Sequence, residues 1–171
     1  MALGFRGFNR HKGGALPLPA NEPPFVKTGW STSGTSGYNN INPNSSTQKQ
    51  FNAWNEGWGG GLPANLYSPY YDVLGASTVS IKAYYKTTGN GTLIGSSHYR
   101  IMGYDGSAWT ELGRASIPDW ETTTNAWRTL NLNNVNIKGY KQIQLCAYLY
   151  PYSGSGQAGS SLLIEGITFA K

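Results

Sequence analysis

The sequence predicts an all-β protein, a two-sheet antiparallel jelly-roll sandwich behind an extended N-terminal arm. Three observations predict it. Beyond residue 70, apolar and polar residues alternate at period two in several segments. Clusters of Gly, Asn and Ser punctuate the chain between those segments, and no segment carries a helical period. A chain of 171 residues fits one domain plus an appendage. A domain near 150 residues buries roughly 68–70% of its unfolded surface, enough to form a core without a disulfide or metal.

Residues 1–24 form the expected arm. Gly4, Gly7, Gly13 and Gly14 are followed by Pro17, Pro19, Pro23 and Pro24. Glycine weakens helix and strand alike, and proline favours extended backbone. Fully extended, the stretch reaches roughly 80 Å. Arg6, Arg10 and Lys12 precede the first acid, Glu22, and Phe5, Phe8, Leu16 and Leu18 are apolar knobs along the arm. Phe5, Arg6, Phe8, Arg10 and Lys12 are the expected assembly anchor, docked on a neighbouring subunit by insertion or strand addition. Three cations are too few for strong nucleic-acid binding, so no specific nucleic-acid partner is expected.

The sandwich is expected over residues 25–171. Phe25-Val26-Lys27 reads as a strand, and the stretch after it is turn-rich and nearly uncharged. Across 51–66, Phe51, Trp54 and Trp58 precede a glycine run, which reads as a loop that packs or presents rings. Val79, Ile81, Ala83 and Tyr85 alternate with Ser80, Lys82, Tyr84 and Lys86, the pattern of a half-buried strand. A turn at 89–91 and a short segment at 92–95 lead to a strand over His98–Tyr104. Asp105-Gly106 begins a hairpin loop, and Trp109 to Ala115 returns. Further strands are expected at Trp127–Leu132, Gln142–Tyr150 and Ser161–Phe169. In the second of these, Ile143, Leu145, Ala147 and Leu149 face inward while Gln144, Cys146, Tyr148 and Tyr150 face outward. About eight strands at regular spacing read as a sandwich.

Composition narrows function. Charged residues are 12% of the chain, against roughly 25% in an average soluble domain. Twelve tyrosines and six tryptophans sit among many amides and hydroxyls, a surface suited to recognition. Cys146 is the lone cysteine and His11 and His98 are the histidines, so neither a disulfide nor a zinc cluster is expected. No segment approaches the ~20 apolar residues of a membrane helix. The first residues lack the apolar core of a Sec signal peptide, so export would take another route, such as release by lysis within a virus particle.

Residues Thr78–Ile117 and Thr123–Phe169 resemble the C-terminal half of galactose-binding-like β-sandwich modules, where many carbohydrate-binding modules of glycoside hydrolases belong. The pattern is strand, hairpin, a Trp followed by a strand, a strand of alternating small apolar residues, and a final strand with an acid near its end. The resemblance covers roughly residues 70–171. It implies that Trp127 is a core residue beginning a strand, and that Glu165 takes the place of a common aspartate. That departure weakens the case for a family-type calcium site. No cofactor is expected, and a structural calcium ion has no support of its own among the residues. Such modules also occur on viral tail fibres and capsid surfaces.

The acids are Glu22, Glu56, Asp72, Asp105, Glu111, Asp119, Glu121 and Glu165. A glycosidase needs two carboxylates across a cleft. Asp119 and Glu121, near Trp120, come nearest to such a pair, but loop acids are usually solvated, and no catalytic residue is assigned. His98 reads as a structural histidine. Sugar rings stack on Trp and Tyr while Asn, Gln and Arg hydrogen-bond the hydroxyls. Among Trp54, Trp58, Trp109, Trp120, Tyr148, Tyr150 and Tyr152, the expected carbohydrate-binding residues are Trp54, Trp58, Trp120, Tyr148 and Tyr150. A subunit interface would use the same residue types.

Three functions stay open at this point. One is a non-enzymatic virion protein of a bacterial virus, a head decoration, fibre or tail-associated subunit. It would be homo-oligomeric, anchored to other virion subunits by its arm and turned toward cell-surface glycans. The second is a secreted carbohydrate-binding module or adhesin, which explains the aromatics but not the arm. The third is a carbohydrate-active enzyme, which lacks a clear acid pair.

Overall fold

The computed structural model describes residues 29–34, 38–45, 48–55, 60–61, 63–89, 97–117, 125–153 and 157–171. The expected anchor residues Phe5, Arg6, Phe8, Arg10 and Lys12, the strand at Phe25–Lys27 and the segment at 92–95 lie outside them. The described residues form strands and no helix, so none is long and apolar enough to cross a membrane.

Two antiparallel sheets face each other. The first contains β1 (Ser31–Gly34), β5 (Ala64–Tyr67), β12 (Gln142–Leu149), β8 (His98–Tyr104) and β9 (Trp109–Ser116) in that order, with β6 (Tyr71–Asp72) continuing beside β12. The second runs β2 (Tyr38–Ser45), β3 (Gln48–Asn55), β14 (Ala158–Ala170), β7 (Thr78–Gly89) and β10 (Arg128–Thr129), with β11 (Leu132–Asn136) also on β7. A small third ladder joins β4 (Gly60–Gly61) to β13 (Tyr152–Ser153).

The alternation read from the sequence sets the inner faces. Val79, Ile81, Ala83 and Tyr85 of β7 meet Ile143, Leu145, Ala147 and Leu149 of β12 in one buried core. Phe51, Leu66, Tyr99, Ile101, Leu162 and Ile164 join them. In β14 a bulge at Glu165 shifts the register between Ile164 and Gly166, so Leu162 and Ile164 share the inner face with Ile167 and Phe169. Tyr99 ties the sheets together: its hydroxyl donates to the Leu130 carbonyl at 2.6 Å, and burial pushes its pKa up.

Several expectations need correction. Fourteen strands stand among the described residues, not about eight. The stretch expected to be turns and a ring-presenting loop supplies β1, β2, β3, β4 and β5. Trp54 lies in β3, paired with Gly159 and Tyr38 in the second sheet, rather than in a loop. The strand expected at Trp127–Leu132 is split, because the Asn131 side chain accepts the Ala83 N–H at 3.0 Å where a backbone carbonyl would continue the ladder. Trp127 is 37% exposed with the Lys86 ammonium 5.1 Å from its ring centre, so it is not a core residue. Leu130 and Leu132 pack on the core there instead.

Candidate functional site

The outer face of the first sheet gathers aromatic, charged and amide side chains, and strand register fixes their layout. One row holds Asn65, Tyr148, His98 and Ser116, and the next holds Tyr67, Cys146, Arg100 and Arg114. Then come Gln144, Met102 and Glu111, and finally Asp72, Gln142, Tyr104 and Trp109. From Tyr148 to Gln142 the face runs six residues along β12, about 20 Å.

Aromatic rings stand at both ends. At one end His98 stacks on Tyr148 with ring centres 5.7 Å apart, and Tyr148 stacks on Tyr150 at 6.1 Å and 9° between planes. Tyr148 projects away from the core, as expected, alternating with buried Ala147 and Leu149, and Tyr150, one residue beyond β12, is half-buried and stacked on it. At the other end Trp109 lies between Tyr104 and Tyr70, with centres 5.2 Å apart on each side. Tyr70 is 52% exposed and Trp109 39%. Tyr70 reaches this position because the chain bulges away from β12 between β5 and β6. Ser68 holds the bulge: its hydroxyl accepts the Leu145 N–H at 2.9 Å, and its carbonyl accepts the Gln144 amide at 2.9 Å.

Between the two ends lies a polar strip. The register of β9 slips by one residue against β8: Ile101 pairs Gly113, while Met102 pairs Glu111. The extra residue, Leu112, turns toward the core. Glu111 and Arg114, which strict alternation would put on opposite faces, therefore share the outer one. Arg114 grips the Glu111 carboxylate with Nε at 2.9 Å and Nη2 at 2.7 Å, and Arg100 reaches it with Nη1 at 3.3 Å. Arg114 first, with Arg100 behind it, holds the Glu111 carboxyl down to about 2. At the far end Gln142 donates to Asp72 at 2.9 Å.

Among the sequence-predicted site residues, Tyr148 and Tyr150 come together here. Trp58 and Trp120 lie outside the described residues, as do Asp119, Glu121 and the side chain of Trp54. Tyr70 and Tyr104 were missed. Parity along His98–Tyr104 puts Tyr104 outward with His98, whereas nothing local marks Tyr70. Cys146, expected outward, has the outward register but is 6% exposed between Tyr67 and Arg100, and burial pushes its thiol pKa up. Glu165 does not fit a calcium site. Its carboxylate takes the Lys82 ammonium and the Tyr84 hydroxyl, and no cluster of three or more metal-binding side chains stands among the described residues.

No protein-family model and no curated protein matches the sequence. Solved structures do match. A carbohydrate-binding module of the β-sandwich superfamily, studied for promiscuous specificity, aligns at TM-score 0.53 and 12% identity, over 84% of this chain and 57% of that one. TmCBM61 in complex with β-1,4-galactotriose aligns at TM-score 0.46 and 12% identity, over 91% of this chain and 99% of that one. The enzymatically active domain of tailspike protein 4 from bacteriophage CBA120 aligns at TM-score 0.47 and 10% identity, over 84% of this chain and 19% of that one. On the first of these likenesses, the chain has the fold of a carbohydrate-binding-module-like β-sandwich.

Proposed function

We propose that the sandwich is a non-catalytic glycan-binding module whose binding face is the outer face of the first sheet. One observation carries this: stacked aromatic rings stand at both ends of a single sheet face, with Arg and Gln side chains between them. Rings supply stacking area and the strip supplies hydrogen bonds, the two needs of a sugar site. A span of about 20 Å suits an oligosaccharide better than a single sugar. Glu111 is poorly suited to general-acid work, because two guanidinium groups keep it ionised. We propose further that the arm ties the module to neighbouring subunits of an assembly, a bacterial virus particle in our reading. The Gly/Pro-rich basic composition of residues 1–24 supports this, and a free secreted module is the alternative.

Calorimetric titration against a panel of cell-wall and cell-surface oligosaccharides tests the module. Trp109→Ala and Tyr148→Ala should each weaken binding about 5- to 150-fold, the equivalent of roughly 1–3 kcal/mol for a buried ring. Melting temperatures should stay within a few degrees of wild type, and no reducing ends should be released. Unchanged affinity in both variants, or binding lost only through unfolding, would reject the face.

A further inference from the structure

We infer that the glycan taken by this face is acidic, with a sugar carboxylate on the Arg100 guanidinium and neighbouring rings of the same chain stacked on Tyr148 and Trp109. The inference rests on the glycan-binding reading above and adds the class of ligand.

Arg100 occupies the middle of the face. It lies two residues from His98 and four from Tyr104 along β8, about 7 Å and 14 Å from the two aromatic ends. The three charges of the strip are engaged unequally. Arg114 is bound bidentately to Glu111, an arrangement that commits its fork. Arg100 gives Glu111 a single hydrogen bond of 3.3 Å through Nη1. A guanidinium carries five N–H donors in a fixed plane, so Arg100 keeps donors for a ligand. Two guanidiniums against one carboxylate leave the triad with one net positive charge, and the other carboxylate among the described residues of the face, Asp72, stands four residues along the sheet, about 14 Å or more away, where it takes the Gln142 amide. The side chain of Arg100 is 38% exposed, open to a ligand and steadied on one side by Glu111. Cys146, its cross-strand neighbour, offers no charge, since burial pushes the thiol pKa up and keeps it protonated. A neutral sugar would use the same donors as ordinary hydrogen bonds. A carboxylate uses them as a charge-assisted pair, roughly twice as strong.

The probes are immobilised sialylated and uronate-containing oligosaccharides, beside the same chains after carboxyl reduction. Acidic chains should bind, and their reduced forms should bind at least about tenfold more weakly. Raising the salt concentration should weaken the acidic complexes and leave any residual neutral binding little changed. Arg100→Gln should erase the acidic preference, while Trp109→Ala should weaken acidic and reduced chains alike. Whether sialylated or uronate chains bind best identifies the source of the carboxylate. Equal binding of acidic and reduced chains, or binding of neutral chains alone, would overturn this inference and leave the glycan-binding module standing. No binding to any chain would remove both.

Discussion

Glu111 shows how a single bulge residue sets the chemistry of the face. With Leu112 turned inward, Glu111 can meet Arg114 three residues on, and the pair anchors the strip. Its carboxyl is held at about 2, below the ordinary 4.5, chiefly by Arg114. A lowered folded-state pKa contributes stability that is complete above about pH 4.5 and is lost as pH falls through about 2. The pair is surface-exposed and solvent-screened, so its contribution is about 0.2–1 kcal/mol. Wild type should therefore melt slightly above Glu111→Gln at pH 7, and the gap should close between pH 4.5 and 2. Asp105 is also held at about 2, by the Ala108 and Ser107 N–H groups, but it is common to both proteins and cancels from the comparison. A gap that persists unchanged at pH 2 would show that the pair is not its source. At this scale the sequence revealed the outward Tyr148 of β12, because strict alternation holds there. It did not reveal Tyr70 or the Glu111–Arg114 pair, because both depend on bulges that break alternation.

Among the elements, β7, β8 and β12 were legible because apolar residues recur at alternate positions, and β9 because the Asp105-Gly106 turn marks it as the return of a hairpin. The strands between 31 and 67 were not. β1 and β2 read STSG and YNNINPNS, rich in residues with weak strand preference. They are strands because β5 and β3 offer them paired edges, a tertiary influence that no local pattern reports. The interrupted strand formed by β5 and β6 matters most for the site. Between its halves the Ser68 hydroxyl stands in for the missing partner of the Leu145 N–H and also donates to the Pro69 carbonyl at 2.7 Å. Ser68 is 2% exposed, so Ser68→Ala leaves a buried donor unpaired. The expected cost is about 1–3 kcal/mol, a fall of roughly 2–12 °C in melting temperature. Because the same bulge carries Tyr70 to Trp109, glycan affinity should fall too, even well below the melting transition. A variant with wild-type stability and affinity would show that Ser68 does not hold the bulge.

At the scale of the whole molecule, the proposed anchoring arm precedes in sequence the residues that build the core. The buried core is built from side chains between Phe51 and Phe169, with Trp30 packed against it. Both aromatic ends and the polar strip belong to that same body. The arm contributes Gly, Pro and cations ahead of this core, a composition suited to lying along a neighbour. If it joins copies of the chain, each assembly presents several binding faces at once. Joining sites in this way raises apparent affinity for a glycan-coated surface by about 10²- to 10⁴-fold with no new contact at any one site. Removing residues 1–24 should therefore leave the melting temperature and the affinity for a free oligosaccharide nearly unchanged. Light scattering should show the full chain as an oligomer and the truncated chain as a monomer. Retention on a glycan-coated surface should collapse in the truncated protein alone. If both forms are monomeric and are retained equally, the arm is not an anchor between copies, and the module acts singly.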